Sequence, residues 1–237
     1  MLSGQVRIDP LSLAMYSTDA SIYQITPLCV VLPRDEQDIV KVVQYAGAEG
    51  ISVIARGGGS GLAGESVGEG IILDMSRFMN RIHKIDLEAN EAVVESGVIL
   101  DELNRRLAPY GRQIGPDPSS GNRAAIGGVI GNNATGAHSL KYGYISRHLR
   151  QLRAISADGQ LVELADHSPG PNGGGVVGKW TDSIYTLIHS NRELLERVRP
   201  RTERNRSGYD VFSILQDGRV HLGRLLAGSE GTLAIVS

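Results

Sequence analysis

The sequence predicts an α+β fold: a small parallel βαβ unit followed by a larger, mainly antiparallel part. An apolar run at 29–32, an amphipathic helix and a second apolar run at 51–55 make a strand–helix–strand unit. Further apolar runs near 71–74, 82–86 and 92–95 are spaced too closely for crossover helices and suit antiparallel pairing. A hairpin is expected at 152–156 and 161–164, where Asp158-Gly159 is a type I′ turn signal.

Each element has a local cause. Pro33 stops the first strand, and Asp35 caps a helix running through Gly47, with Asp38 near its N3 position. Ile39, Val42, Val43 and Ala46 form its apolar face, and Gly50 ends it. The strand at 51–55 leads into Arg56 and a glycine-rich loop at its C-terminal end, where open α/β sheets bind ligands. A helix is expected over 100–108, and another is capped by Thr181 or Asp182, with Ile184, Leu187, Ile188, Leu194, Leu195 and Val198 along one face. The tract SPGPNGGGVVG at 168–178 reads as a flexible excursion. The ending GSEGTLAIVS at 228–237 reads as a loop and an apolar strand that simply stops, which suggests a domain of a longer protein.

Composition narrows the functional classes. Lys and Arg (24) against Asp and Glu (26) give a net charge of −2, which argues against nucleic acid or an anionic membrane as main partner. The single cysteine, Cys29, lies in an apolar run and reads as a small hydrophobe rather than a reactive thiol. CxxC, HExxH and histidine pairs at metal spacing are missing, so no metal site is expected. The N-terminus lacks a signal-peptide core and no apolar run matches a bilayer, so a cytoplasmic setting is the default.

The loop RGGGSGLAG at 56–64 carries the chemistry. Gly57, Gly58, Gly59 and Gly61 permit positive φ and close backbone approach, so successive N–H groups can converge on a phosphate. Gly59, Gly61 and Gly64 also match the dinucleotide GxGxxG fingerprint, but that site needs a helix directly after the loop. ESVGEG at 65–70 leaves room for only about one helical turn before the next strand.

Together with this loop, GPDPSSGNRAAIGGVIGNNATG at 115–136, KYG at 141–143, SGYD at 207–210 and GSEGTLAIV at 228–236 occur in the order found in FAD-linked oxidases of the vanillyl-alcohol oxidase type. The chain resembles the D-lactate, glycolate and D-2-hydroxyglutarate dehydrogenase branch, including members with a fused iron–sulfur module, from about residue 20 to its last residue.

The resemblance implies a two-subdomain, PCMH-type FAD-binding domain. An N-terminal segment (1–24) precedes a small parallel subdomain (25–80) and a larger, mainly antiparallel one (81–237), with the substrate or cap domain outside this chain. It implies that Gly57, Gly58, Gly59, Ser60, Gly61 and Leu62 grip the pyrophosphate, with Arg56 adding positive charge. Pro116, Asp117 and Ser119 would lie beside the pyrophosphate or flavin edge. Gly127, Gly128, Gly131, Asn132, Asn133 and Gly136 would allow approach to the ribityl and ring portions; read without the other motifs, 124–130 is equally a glycine-interrupted buried helix. Glu230 and Ile235 would meet the adenosine end, Ile235 through its backbone. Ser60 stands where covalent members carry histidine, which implies noncovalent FAD.

For chemistry, a base and a carboxylate clamp are needed. His83, His148, His167, His189 and His221 read as surface residues, whereas His138 and Tyr142 follow the cofactor segment and are the catalytic candidates. The implied reaction is hydride transfer from a D-2-hydroxy acid to flavin N5, with substrate arginines coming from the cap domain. The implied partners are the small-molecule hydroxy acid, the rest of a longer chain with a possible iron–sulfur module, or an electron-acceptor protein. Peripheral membrane association of the parent protein stays open. Two alternatives also stay open: an enolpyruvyl-sugar reductase-like enzyme, which GSEGT and SGYD count against, and a non-catalytic FAD electron-relay module.

Overall fold

A computed structural model describes residues 1–170, 174–202 and 208–237. Strands β1 (Gln5–Arg7), β2 (Cys29–Leu32), β3 (Val53–Arg56) and β4 (Ile71–Asp74) form one sheet in the order β1-β2-β4-β3. β4 lies parallel between β2 and β3, and β1 runs antiparallel along β2. The expected antiparallel pairing therefore fails at β4. Residues 57–70 are long enough to return the chain over the sheet as an irregular crossover, with no helix, and this also removes the dinucleotide fingerprint reading. Every residue of β4 is buried, as in a strand covered on both faces.

Helix α1 (Pro10–Tyr16) follows β1, and α2 (Glu36–Glu49) joins β2 to β3. Asp35 caps α2 by accepting from the Asp38 N–H at 2.9 Å, and Gly50 closes it in the left-handed region, so the helix runs a half-turn beyond Gly47. Asp38 itself is 0% exposed. Its carboxylate accepts from the backbone N–H groups of Ser3, Gly4 and Arg34 and from the Ser3 hydroxyl, at 2.7–3.1 Å. Burial pushes that carboxyl up, but the donors from Arg34, Ser3 and Gly4 outweigh it and hold it below the usual carboxylate range. The N-terminal strand is thus pinned to the start of α2. Cys29 is half-buried on β2, where burial pushes its thiol up.

The second part begins with the antiparallel ribbon β5 (Ile82–Asp86) and β6 (Glu91–Val94), then α3 (Leu100–Leu107), α4 (Ile126–Gly131) and α5 (Ser139–Tyr142). It continues with β7 (Leu152–Ser156), β8 (Leu161–Leu164), β9 (Asp166–His167), α6 (Gly175–Ser190), α7 (Arg192–Val198), β10 (Leu215–Gln216), β11 (Arg219–His221), α8 (Leu222–Leu226) and β12 (Ala234–Val236). These strands make two antiparallel sheets, β12-β7-β8 and β10-β11-β9. Among the described residues no helix is long and apolar enough to cross a membrane.

Five expectations change here. The β7–β8 hairpin forms, but Asp158 does not take positive φ: Gly159 alone does, and its N–H donates to Ser156 O at 2.8 Å, closing a three-residue loop. The two-residue type I′ geometry occurs instead at Asp217 (φ 50°) and Gly218 (φ 73°), between β10 and β11. α6 starts at Gly175, not at Thr181 or Asp182. Thr181 is buried inside the helix with its hydroxyl donating to Val177 O, and Asp182 accepts from the Gly170 N–H. Residues 175–178 are therefore helix rather than excursion; 171–173 lie outside the described residues. The expected apolar face is buried only in part: Ile184 packs on the core together with Val176, Val177 and Trp180, which lie outside that set, while Leu187, Leu194 and Val198 are exposed. His221 is not a surface histidine: its side chain is 12% exposed and its Nδ1 meets Asp166 Oδ1 across the β11–β9 pair.

Two cores hold these layers. One packs α3, α4, β7, β8, β11 and α8 around Leu103, Val129, Ala154 and Val220. The other sets α2 between the first sheet and β7–β12, where Ile39, Val43, Ile155 and Ile235 meet, and Arg153 on β7 pairs with Glu36 on α2 at 2.8 Å. That contact fixes the two parts of the chain against each other and leaves a cleft between them.

Candidate active site

The cleft has a volume of about 390 Å³ and is walled by three segments: the glycine loop after β3, the 118–134 stretch around α4, and 226–236 leading into β12. Arg56, Gly57, Gly58, Gly59, Ser60, Gly61 and Leu62 all line it. Among the described residues, the backbone N–H groups of 58–62 have no protein acceptor. That leaves consecutive donors on one concave wall, an arrangement suited to an anion.

The glycines of this loop serve different ends. A Cβ on Gly57 would lie 2.7 Å from the Ala125 Cβ, and one on Gly58 only 1.9 Å from Arg123 O. These two are bare so that the loop can press against 123–125. Gly59 has φ of 57°, and its carbonyl accepts from the Ala20 N–H at 3.0 Å. Arg56 underlies the loop: its guanidinium donates to the carbonyls of Tyr16, Thr18 and Ser66 and sits 5.2 Å from the Tyr16 ring. It is a strut joining the N-terminal segment to the loop, and its charge stays beneath Gly59. Tyr16 in turn donates to Asp74; burial first, then that carboxylate, raises its hydroxyl far above the usual value.

α4 forms the opposite wall. Ile126 and Ile130 are buried in the core, while Gly127, Gly128, Gly131 and Asn132 line the cleft together with the buried Val129. The helix is both a buried helix and a glycine face. Gly127 is bare because Ser96 lies against it, its Cβ 2.8 Å from where a glycine Cβ would be. A Cβ on Gly128 or Gly131 would meet nothing within 4 Å, so ligand atoms can reach that backbone. The third wall is stitched to α4: Gly228 N–H donates to Ile130 O and Glu230 N–H to Gly131 O, both at 3.0 Å. Glu230 is exposed on the cleft with φ of 52°. Along β12, Ala234 and Val236 face the cleft while Ile235 is buried in the core with Ile155.

Other sequence candidates sit behind this lining. Pro116 is buried and Ser119 exposed, with neither on the cleft wall, whereas their neighbours Pro118 and Ser120 are on it. Asn133 is 3% exposed and accepts from the Ser146 N–H, and Gly136 is bare because Asp117 O lies 2.1 Å from its Cβ position. Asp117 accepts from the His138 N–H at 3.1 Å and meets His138 Nδ1 through its other oxygen. The His138 N–H holds this carboxyl below its usual range, burial pushes the other way, and the ring adds to the lowering. Tyr142 stands edge-on to His138 at 6.3 Å between ring centroids and packs where a Gly115 Cβ would fall. Asp117, His138 and Tyr142 thus form one group beside the cleft, not on its lining. Of SGYD, Ser207 lies outside the described residues, while the Tyr209 hydroxyl meets Thr232 Oγ1 at 2.9 Å beside the third wall.

Sequence reading missed Glu65, Ser66, Met75, Ser96, Ala124 and Ser229, all on the lining. Ser96 is the informative one. Its hydroxyl is buried and has no hydrogen-bond partner among the described residues, a polar atom fit to pair with a polar ligand. Unpaired N–H groups, open glycine backbone and this hydroxyl together suit a long ligand carrying phosphate at one end.

Residues 27–165, more than half of the chain, match the family described as "FAD binding domain". The chain belongs to that family. Among relatives, the D-2-hydroxyglutarate dehydrogenase of Pantoea ananatis (strain AJ13355) is 39% identical over 244 residues, covering 97% of this chain and 23% of the relative. The D-lactate dehydrogenase of Archaeoglobus fulgidus is 29% identical over 210 residues, covering 88% and 37% respectively. The chain therefore spans less than two fifths of the length of either relative. The solved structure of alkyldihydroxyacetonephosphate synthase shares the fold, with a TM-score of 0.68 at 22% identity over 98% of this chain and 39% of that one. The FAD-linked family expected from the motif order is borne out, and with it FAD as the family's cofactor.

Proposed function

We propose that the chain is the flavin-holding part of an FAD-dependent dehydrogenase that oxidises a D-2-hydroxy acid of the lactate, glycolate or 2-hydroxyglutarate class. The observation that carries this is the row of unpaired N–H donors at 58–62 facing an open glycine backbone at Gly128 and Gly131. The similar hydroxy-acid dehydrogenases supply the substrate class. FAD, when bound, supplies the electron acceptor for oxidation of the hydroxyl carbon.

The chain's residues divide the work. Donors at 58–62 hold the diphosphate, with Arg56 keeping the loop in shape and lending charge. Gly127, Gly128, Gly131 and Asn132 admit the ribityl and ring portions, and Glu230 and the 235 backbone meet the adenosine end. Pro116, Asp117 and Ser119 shape the edge of the site, while Asn133 and Gly136 set the turn after α4. Ser60 offers no histidine for a covalent link, so the cofactor is held noncovalently. Asp117 engages His138 Nδ1 and leaves Nε2 for a substrate hydroxyl proton, with Tyr142 beside it.

In this reading the N-terminal segment is 1–24, the small parallel subdomain 25–80 and the larger antiparallel one 81–237. A substrate domain, the arginines that clamp the carboxylate and an electron-acceptor module or partner come from the rest of a longer cytoplasmic protein, which can lie against a membrane. The test is an FAD titration of the purified chain followed by visible absorbance. Shifted flavin bands at saturating stoichiometry are expected, with little turnover of D-2-hydroxyglutarate or D-lactate; a flat titration overturns the proposal.

A further inference from the structure

We infer that Glu65 is an internal counter-anion of the glycine loop, which sets how tightly that loop holds a phosphate-bearing ligand. The inference rests on the reading that a diphosphate occupies the loop. Glu65 Oε2 accepts from the Ala63 N–H at 3.2 Å, and Oε1 accepts from the Asn132 side-chain amide at 2.6 Å. A Cβ on Gly61 would lie 1.6 Å from Oε1, so the carboxylate is seated directly on the bare backbone of Gly61. It bridges the loop to the C-terminal end of α4 across the cleft that Gly61, Glu65 and Asn132 line.

This carboxylate faces the anion wall without a cation of its own. The guanidinium beneath the loop, that of Arg56, is engaged with the carbonyls of Tyr16, Thr18 and Ser66. Among the described residues Glu65 has hydrogen-bond partners but no ion-pair partner. A phosphate group received by 58–62 therefore stands within a few ångströms of a like charge. Either the carboxylate leaves Asn132 or the two anions share the loop, and both outcomes weaken binding. Only a ligand long enough to reach from the loop to α4 restores the contact that Asn132 gives up. Glu65 thus discriminates against short anions and in favour of an extended dinucleotide.

The test compares the wild-type chain with Glu65→Gln, which keeps the shape and an acceptor for Asn132 while removing the charge, and with Glu65→Ala as a second variant. Calorimetric titration with inorganic pyrophosphate should show about tenfold tighter binding in both variants, with a smaller gain for FAD. Pyrophosphate affinity that is unchanged or weaker in the variants overturns the inference, as does failure of any form to bind pyrophosphate. If the variants gain pyrophosphate affinity but no form binds FAD, the counter-anion stands and the flavin reading falls.

Discussion

Two glycine-to-alanine substitutions separate the packing role of the loop from the ligand-facing role of α4. In Gly58→Ala the new Cβ would be 1.9 Å from Arg123 O, more than 1 Å inside the 3.0 Å limit that real Cβ contacts respect. The obstacle is backbone on both sides, so relief requires separating the loop from 123–125. Overpacking of this kind costs about 1–3 kcal/mol, and the upper end applies because no flexible side chain can yield. For a chain of this length each kcal/mol shifts Tm by about 2–4 °C, so a fall of about 6–12 °C is expected. In Gly128→Ala the new Cβ meets nothing, within a helix where alanine is favoured by about 0.5–1 kcal/mol, and Tm should rise by about 1–4 °C. The same methyl would stand where ligand atoms approach, weakening FAD about 10–100-fold. Thermal unfolding by circular dichroism without FAD, paired with fluorescence titration of FAD, reads both effects. Gly58→Ala melting with the wild type would refute the close-packed loop, and Gly128→Ala binding FAD as tightly as the wild type would refute ligand approach at α4.

Asp38→Asn replaces a carboxylate that satisfies several backbone donors and should lower stability by about 2–3 kcal/mol in urea unfolding. Because the native carboxyl is held below its unfolded value, its contribution is full above about pH 4 and fades as pH falls through the native pKa. The mutant should lack that part of the acid limb in a pH-dependent melt, and an unchanged acid limb would count against the pinning role. Arg56→Lys keeps the charge but cannot reach the Tyr16, Thr18 and Ser66 carbonyls together, so FAD affinity should fall about tenfold, whereas equal affinity would mean charge alone suffices. Ser96→Ala removes an unpaired buried hydroxyl and should leave the FAD-free chain equal or up to about 1 kcal/mol more stable; clear destabilisation would reveal a partner for that hydroxyl.

Much of the architecture was legible because the relevant signals are local. Asp35 and Gly50 mark α2 through cap chemistry, and β2, β4, β5, β7 and β8 announce themselves as short apolar runs bounded by turn residues. Pairing is not a local signal: nothing in the sequence near β4 says that it enters between β2 and β3. β1 and β9 are too short and polar to stand out, and Asp217-Gly218 carries the same turn signal as Asp158-Gly159 but lacks long flanking apolar runs. The start of α6 is obscured in the sequence because Thr181 and Asp182 look like caps, when one bonds back inside the helix and the other ties down Gly170. Within the site, glycine motifs gave the loop, α4 and the 228–231 turn. Glu65 and Ser96 carry no motif, and only their placement across the cleft makes them matter. The sequence could not separate glycines that are bare for packing, such as Gly57 and Gly58, from those that face open space.

The stitching of the 228–231 turn onto α4, and of Ser237 onto Glu36 at a separation of 201 residues, bears on how the molecule is made. Contacts this distant along a chain form late, because loop closure must be met before they reward it. The cleft has no third wall until β12 has docked beside β7. With flavin held in this cleft as proposed, its uptake would follow the docking of β12 and draw the equilibrium towards the folded chain.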